Sequence, residues 1–272
     1  MPAKALARRF EPIYYPDTDF EPMAESDFQA ESLTYLRSAL SDYFKADPQV
    51  YVSGNLLIYY EEGNPTKSVA PDVFVVLNVP KHPRDIYKVW EEGKAPDVVI
   101  EITSRTTQKK DEKQKPELYR KLGIREYFQY DPKGEYLNPA LKGRRLNAQG
   151  HYEPLTPVRG LHDKSVWYTS QVLDGLQLRL ERGNLRLFDP QTGKYLFTYS
   201  EAVASYQQAE EQKRLAQQQM ELERQQKELA LQQVAQERQR AIQERQEKEF
   251  LVNQLRALGV NPDEILKNWK PH

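Results

Sequence analysis

The sequence predicts an α/β protein, with a mixed sheet flanked by helices, a β-rich extension and a long C-terminal helix. Three observations support this class. Apolar residues recur at helical spacing after Ser26. Short runs rich in β-branched and aromatic residues then alternate with helical segments over residues 50–130. Residues 201–250 contain neither Gly nor Pro. An order of helix, strands, helix and strand is typical of an α/β core.

The predicted core begins after an extended lead-in, residues 1–24, which is rich in Pro and Tyr. A first helix is capped by Ser26 or Asp27 and ends near Ala46. Helical character is also expected around Ile86–Trp90, and a longer helix over Thr106–Leu122, which Gly123 closes. Strands are expected over Val50–Ser53, Leu56–Tyr60, Val69–Val76, Asp97–Thr103 and Ile124–Tyr130.

Further β structure is expected over residues 135–190, where several runs alternate or are rich in β-forming residues. These runs are Tyr136–Leu146, Val166–Thr169, Gln177–Leu180 and Leu185–Phe188. Hairpin-type turns separate the later runs. We assign residues 25–200 to one domain that includes both the core and this extension.

The composition changes abruptly after Ser200. Residues 201–254 predict one long Gln-rich helix, because Gln, Glu, Ala, Arg and Lys predominate and Glu–Lys pairs have the favourable i,i+4 order. Leu215, Leu222 and Leu229 repeat every seven residues, but their companion positions are mostly Gln. This favours a weak coiled coil or a solvated single helix, with disorder as an alternative for part of it. A short C-terminal helical motif is predicted over residues 255–272.

The bulk composition excludes several kinds of site. With 39 basic and 40 acidic residues, the chain has no global field that would attract polyanions. The absence of cysteine excludes disulfides, thiolate catalysis and Cys-based zinc sites, and the four histidines lie far apart in the sequence. No apolar run is long enough to cross a membrane, and the first residues lack the apolar region of a signal peptide. We therefore expect a cytoplasmic protein with no membrane contact.

Two carboxylates stand at positions that predict chemistry. Asp72 precedes the apolar run Val73–Val76, and Glu101 lies inside another, where a carboxylate is costly unless it is paired or binds a cation. Side chains alternate along a strand, so Glu101 and Thr103 share one face with Asp97. If the two strands are neighbours, Asp72 and Glu101 form an oxygen-rich site suited to Mg²⁺.

The helix after Glu101 adds a lysine and a basic patch. Asp111, Lys115 and Tyr119 fall on one helical stripe, so Lys115 can reach the carboxylate edge of the sheet. Arg105–Lys121 contains seven basic and three acidic residues, which supplies a local positive charge. Each feature also has a structural explanation, namely a turn, a buried ion pair or a solvated lysine. Their combination, in this order, favours a functional site.

These segments resemble the PD-(D/E)XK nuclease superfamily and, within it, the bacterial restriction endonuclease-like family often called Uma-two. The resemblance rests on Pro71-Asp72-Val-Phe-Val-Val, Pro96-Asp97-Val-Val-Ile-Glu101-Ile-Thr-Ser104, the stripe Asp111, Lys115 and Tyr119, and the run from Gly123 to Pro132. It covers residues 25–200 and the terminal motif, and it implies a restriction-endonuclease-like core.

The resemblance also implies roles for individual residues. Asp72 and Glu101 would bind Mg²⁺ (or Mn²⁺), and Lys115 would be the catalytic lysine. The superfamily usually has its lysine two residues after the acid, where this chain has Thr103, whereas family members carry one on the following helix. Four outside candidates remain, namely the neighbouring Lys113, Asp111 on the helical stripe, Gln29 where relatives often have His, and Glu31 close to Gln29.

Two functions follow from this reasoning. The first is a metal-dependent endonuclease that hydrolyses DNA phosphodiester bonds through attack by metal-activated water, with the protein forming a homo-oligomer, such as a dimer, through the core or the C-terminal helix. The alternative is a catalytically inactive nuclease fold that binds or scaffolds partners through its coiled coil. Fold resemblance alone does not separate the two functions.

Overall fold

The structure is a computed structural model that describes residues 13–18, 26–160, 165–259 and 261. Its largest sheet has six strands: β1 (Val50–Ser53), β4 (Val73–Leu77), β6 (Val98–Ile102), β7 (Glu126–Tyr130), β8 (Leu141–Leu146) and β9 (Tyr152–Pro154). They lie side by side in that order. Only the β6–β7 pair in this sheet is parallel, and the other pairs are antiparallel. The predicted mixed sheet is therefore confirmed.

Two smaller sheets accompany the six-stranded one. A three-stranded sheet contains β2 (Ile58–Tyr59), β3 (Ser68–Val69) and β5 (Tyr87–Lys88). A five-stranded antiparallel sheet contains β10 (Val158–Arg159), β11 (Val166–Thr169), β12 (Gln177–Glu181), β13 (Asn184–Asp189) and β14 (Lys194–Tyr195). This sheet contains the later runs of the predicted β-rich extension, whereas its first run, Tyr136–Leu146, supplies β8 of the six-stranded sheet.

The helices are α1 (Asp27–Tyr43), α2 (Val89–Glu92), α3 (Lys115–Lys121) and α4 (Tyr199–Ala257), and a π-helical turn (Lys110–Gln114) leads into α3. Helix α1 packs through Leu36 and Leu40 against one face of the six-stranded sheet, and α3 packs through Tyr119 against the other. Burial on both faces explains why β4 and β6 are almost continuous apolar runs in the sequence.

Three predicted elements differ in the structure. The expected strand Val69–Val76 is two strands, β3 and β4, in different sheets, because Pro71 lies between them and cannot donate a ladder hydrogen bond. The helical character expected around Ile86–Trp90 is confined to the single turn of α2, since Tyr87 pairs with Ile58 in the three-stranded sheet. The helix expected over Thr106–Leu122 begins at residue 108 and contains the π-helical turn.

Helix α4 contains 59 residues, none of them buried, and is about 90 Å long at 1.5 Å per residue. It confirms the predicted long C-terminal helix, whereas its association as a coiled coil stays a prediction. The short helix expected after Asn261 falls on residues outside those the structure describes. None of the helices in the described ranges is both long and apolar enough to cross a membrane.

Candidate active site

Asp72 and Glu101 lie across from each other on neighbouring strands. Strands β4 and β6 pair antiparallel with Val73 opposite Ile100, which places Asp72 opposite Glu101. The Asp72 carboxylate also accepts a hydrogen bond from the backbone N–H of Ile102 at 2.6 Å. The two strands are thus neighbours, which is the condition under which Asp72 and Glu101 can lie close together.

A glycine allows the chain to pass close to Asp72. Gly54 follows β1, and a Cβ atom built on it would lie 2.1 Å from the backbone oxygen of Asp72. Any other residue would collide with main chain that is held by β4. The next residue, Asn55, donates its N–H to the carbonyl oxygen of Pro71 at 2.9 Å. The loop after β1 therefore supports the backbone that carries Asp72.

Glu101 is fully buried, and both of its oxygens have a partner on the helix above it. Its Oε1 accepts a hydrogen bond from the Tyr119 hydroxyl at 2.5 Å, and its Oε2 lies 2.8 Å from Lys115 Nζ. The same ammonium is 3.0 Å from Oδ1 of Asp111, which is also fully buried. The predicted stripe of Asp111, Lys115 and Tyr119 thus faces Glu101 directly.

Asp72, Glu101, Asp111, Lys115 and Tyr119 form one cluster, and its burial and net negative charge shift the pKa values of several members. Burial, followed by repulsion from Glu101, raises the pKa of Asp72 well above its usual range. Burial lowers the pKa of Lys115, but Glu101, Asp111 and Asp72 outweigh it, so the net change is upward. Burial and then Glu101 also raise the pKa of Tyr119. Lys115 is therefore an ammonium and Tyr119 a neutral hydrogen-bond donor at neutral pH.

The π-helical turn fixes the helix on the sheet. The backbone N–H of Lys115 donates to the carbonyl of Lys110, five residues earlier, and so leaves the carbonyl of Asp111 without its α-helical donor. The next residue, Pro116, has no N–H to offer. Instead, the Asp111 carbonyl accepts hydrogen bonds from the Tyr127 hydroxyl at 2.8 Å and from Gln129 Nε2 at 3.0 Å. Both donors belong to β7.

Gln129 also belongs to the candidate site, and the sequence did not predict it. It pairs with Glu101 across β6 and β7, so Asp72, Glu101 and Gln129 form one row across three strands. Because its Nε2 donates to a carbonyl, its Oε1 is left over, and this buried oxygen has no hydrogen-bond partner among the described residues. The sequence feature that could have indicated Gln129 is that it is the one amide among the aromatic residues of Tyr127–Tyr130.

The remaining candidates lie around or away from this cluster. Gln29 approaches it, with Nε2 3.5 Å from the carbonyl oxygen of Ile102, while its Oε1 accepts from the N–H of Ser26. Glu31 is exposed on α1 and lines a different cavity, and Lys113 is exposed on the π-helical turn. Asp97 shares the strand face, but its carboxylate is held by Lys94, Arg125 and the N–H of Leu77.

The basic segment Arg105–Lys121 divides into two parts. Lys115 belongs to the buried cluster, and Arg120 and Lys121 pair with Glu117 on the surface. The basic residues before them are exposed and make no salt bridge within the described part of the chain; they are Arg105, Lys109, Lys110 and Lys113. The positive charge that is free to meet an anion therefore lies at the start of this segment.

The residues present fit a magnesium ion. The described ranges contain no group of three His, Cys, Asp or Glu side chains that could hold a metal. Asp72 and Glu101 supply two carboxylates, and Mg²⁺ is usually held by one or two carboxylates, with water and substrate phosphates completing its shell. Asp72 is only partly buried, so a cation can approach from its side, whereas Glu101 is fully buried and would share its oxygens with Lys115 and Tyr119. The donor set contains oxygen only, which excludes metals that require thiolate.

A family profile and a solved structure are similar to this chain. The profile of the family described as "Uma2: Putative restriction endonuclease" matches residues 7–181, more than half of the chain. A crystal structure described as a putative nuclease from Anabaena variabilis ATCC 29413 is similar over 50% of this chain and 74% of its own, at 18% identity and a TM-score of 0.37. A structural similarity this low does not bear on the fold or the function of this chain.

A search of curated proteins gave no match. The family profile confirms the resemblance carried by the sequence motifs, and it supports nuclease function in general. The chain belongs to the Uma2 family of restriction endonuclease-like proteins.

Proposed function

We propose that this protein is an endonuclease that hydrolyses DNA phosphodiester bonds with the help of Mg²⁺ or Mn²⁺. The convergence of Asp72, Glu101 and Lys115 supports this proposal, because it brings two carboxylates and one ammonium together where β4 begins and β6 ends. A bound cation would lower the pKa of a coordinated water and offset charge on the phosphate.

Lys115 acts in this proposal as a charged hydrogen-bond donor. A lysine whose pKa is raised cannot accept a proton from water at neutral pH, so it holds the attacking water or offsets charge developing on the phosphate oxygens. Tyr119 holds Oε1 of Glu101, which fixes the rotamer of that carboxylate. In this proposal Lys115 is therefore a hydrogen-bond donor and not a general base.

The exposed basic residues favour a polyanionic substrate. Arg105, Lys109, Lys110 and Lys113 precede Lys115 in the chain and form no salt bridge within the described ranges. Cations of this kind bind the phosphate backbone without reading the base sequence. Of the two acidic residues among them, Asp111 is paired with Lys115 and Glu112 with Lys142, each at 3.0 Å. This local positive charge can attract a polyanion, which the nearly neutral chain as a whole cannot do.

The test is cleavage of supercoiled plasmid with Mg²⁺, with Mn²⁺ and with chelator. We expect cleavage only with a divalent cation, and a loss of roughly 100-fold or more in Asp72→Asn, Glu101→Gln and Lys115→Met. Lys194→Gln, an exposed lysine on β14, is the control and should cut like the parent. Asp72→Asn cutting as fast as the parent, in samples purified identically, would refute the proposal.

A second function is favoured by helix α4. Its large apolar side chains are exposed, including Leu222 at 56% and Leu229 at 56%, as in a helix that associates with another helix. Thr103 also stands where the superfamily usually has lysine. We propose as the alternative a non-catalytic scaffold that oligomerises through α4. Light scattering of the full chain with Leu222→Glu and Leu229→Glu should then show dissociation, and calorimetry should show no cation binding at Asp72.

A further inference from the structure

A small cleft lies beside the candidate active site. It has a volume of about 200 Å³, and its lining includes Gln29, Thr103, Ser104, Arg105, Lys133 and Tyr136. These residues come from three parts of the fold: helix α1, the segment that leaves β6, and the loop that follows β7. The cleft therefore opens where the strand that carries Glu101 ends.

The cleft is lined by cations and hydroxyl groups. Arg105 and Lys133 are exposed and form no salt bridge within the described ranges, and no carboxylate is among the lining residues. The pKa of the Tyr136 hydroxyl is raised, first by its hydrogen bond with Glu135, so this hydroxyl is not counted as a donor to a ligand. The amide of Gln29 is engaged by Ser26 and Ile102. Arg105, Lys133 and the threonine described next remain for a ligand.

Thr103 supplies an unsatisfied group at this place. The residue is 1% exposed, it lines the cleft, and its hydroxyl has no hydrogen-bond partner among the described residues. A buried hydroxyl without a partner is costly, so a ligand or a water completes it. Thr103 lies two residues beyond Glu101 on the same strand face, about 6.7 Å along the strand.

We infer that this cleft binds a phosphate of the DNA strand next to the phosphate that is cut. Arg105 and Lys133 would provide the charge, and the Thr103 hydroxyl would donate a neutral hydrogen bond. The spacing from Glu101 corresponds to about one nucleotide step along a strand. The inference rests on the proposed function, and it assigns a binding role to Thr103, the position at which the superfamily usually has its lysine.

The experiment measures binding separately from cleavage. The full chain with Asp72→Asn is titrated with a fluorescein-labelled single-stranded oligodeoxynucleotide, without divalent cations, at several salt concentrations. Arg105→Gln/Lys133→Gln should bind about tenfold more weakly, and the slope of log K against log salt should fall by about 0.7, the value for one phosphate of a single strand. Lys194→Gln should match the parent in affinity and slope.

Thr103→Val tests the neutral contact, because it removes the hydroxyl and keeps the shape. We expect affinity to fall several-fold with the salt slope unchanged. Thr103→Ser restores the hydroxyl and should restore affinity, which guards against a packing defect in the buried valine variant. If the hydroxyl binds only a structural water, Thr103→Val will bind DNA like the parent, and that result overturns the role of Thr103.

The outcomes separate this inference from the proposed function. Arg105→Gln/Lys133→Gln binding like Lys194→Gln, while the protein with Asp72 intact still cuts plasmid, would overturn the cleft and leave the nuclease standing. Binding that weakens as expected in a protein that never cuts DNA would support the cleft and refute the nuclease. No binding of DNA by the parent at low salt would overturn both.

Discussion

Replacing Asp72 with asparagine should make the protein more stable at neutral pH when no divalent cation is present. The substitution keeps an oxygen that can accept the 2.6 Å hydrogen bond from the N–H of Ile102. It removes a charge that is disfavoured by burial and by Glu101, both of which raise the pKa of Asp72 more than Lys115 lowers it. Because the unfavourable contributions exceed the favourable one, the neutral amide should be the better partner for Glu101.

The sign of the pH dependence follows from the raised pKa. The folded protein keeps a proton on Asp72 between the unfolded pKa, about 3.9, and the raised folded value. Across that window the folded state binds more protons than the unfolded state, so stability falls as pH rises, by about 1.4 kcal/mol for each pH unit. Asparagine does not titrate, so the variant escapes this loss. Asp72 is partly exposed, and solvent screening reduces the effect below that limit.

A divalent cation should reverse the order of stability. A cation at 100 times its dissociation constant stabilises the folded parent by about 2.7 kcal/mol, whereas Asp72→Asn has lost a ligand and should gain little. Urea unfolding from pH 5 to pH 8, with chelator and then with Mn²⁺, measures both effects. Asp85→Asn, at an exposed position, is the control. A variant that is less stable than the parent in chelator at pH 8, or equally stabilised by Mn²⁺, would refute the reasoning.

Three other substitutions test the support of the site, each by urea unfolding and plasmid cleavage. Lys115→Met removes the ammonium shared by Glu101 and Asp111 and should cost about 3–5 kcal/mol, because buried charges lose their partner. Tyr119→Phe leaves Glu101 Oε1 without its donor and should cost about 1–3 kcal/mol and lower the cleavage rate. Gly54→Ala should cost about 1–3 kcal/mol, since its Cβ meets backbone 2.1 Å away.

Matched controls separate these effects from general damage. Tyr152→Phe removes a 2.8 Å hydrogen bond to the carbonyl of Ile124, away from Glu101, and should lose stability without losing cleavage. If Tyr119→Phe and Tyr152→Phe impair cleavage equally, Tyr119 has no special relation to the site. A Lys115→Met protein as stable as the parent would refute the predicted cost of removing the ammonium that Glu101 and Asp111 share.

Much of the site was predictable because it depends on short periodic patterns. Alternation along β6 placed Glu101 on one strand face, and helical spacing placed Lys115 and Tyr119 on one stripe. The structure shows that both rules apply, since Lys115 and Tyr119 contact the two oxygens of Glu101. The position of Asp72 needed one more condition, the pairing of β4 with β6, which the sequence leaves open.

The features that the sequence did not predict depend on tertiary neighbours. Gln129 looks like an ordinary strand residue until β7 is placed beside β6, and only then does its amide meet Asp111. The basic segment appeared uniform, yet one acid, Glu117, pairs with both Arg120 and Lys121, whereas the basic residues at the start of the segment form no salt bridge within the described ranges. The boundary at Pro71 was visible, but the assignment of β3 and β4 to different sheets was not.

Lys115 lies on a helix, so the helix must be held rigidly against the sheet. A lysine on a strand would already be held by the hydrogen bonds of the sheet. A strand residue is held by the ladder on both sides, whereas a helix can slide or rotate over the sheet. Here the π-helical turn and Pro116 free the carbonyl of Asp111, and two side chains of β7 bind it. The Asp111 carbonyl is therefore the fixed point between helix and sheet, four residues before Lys115. A catalytic lysine at position 115 needs that fixed point, because without it the 2.8 Å contact with Glu101 would depend on flexible side chains alone.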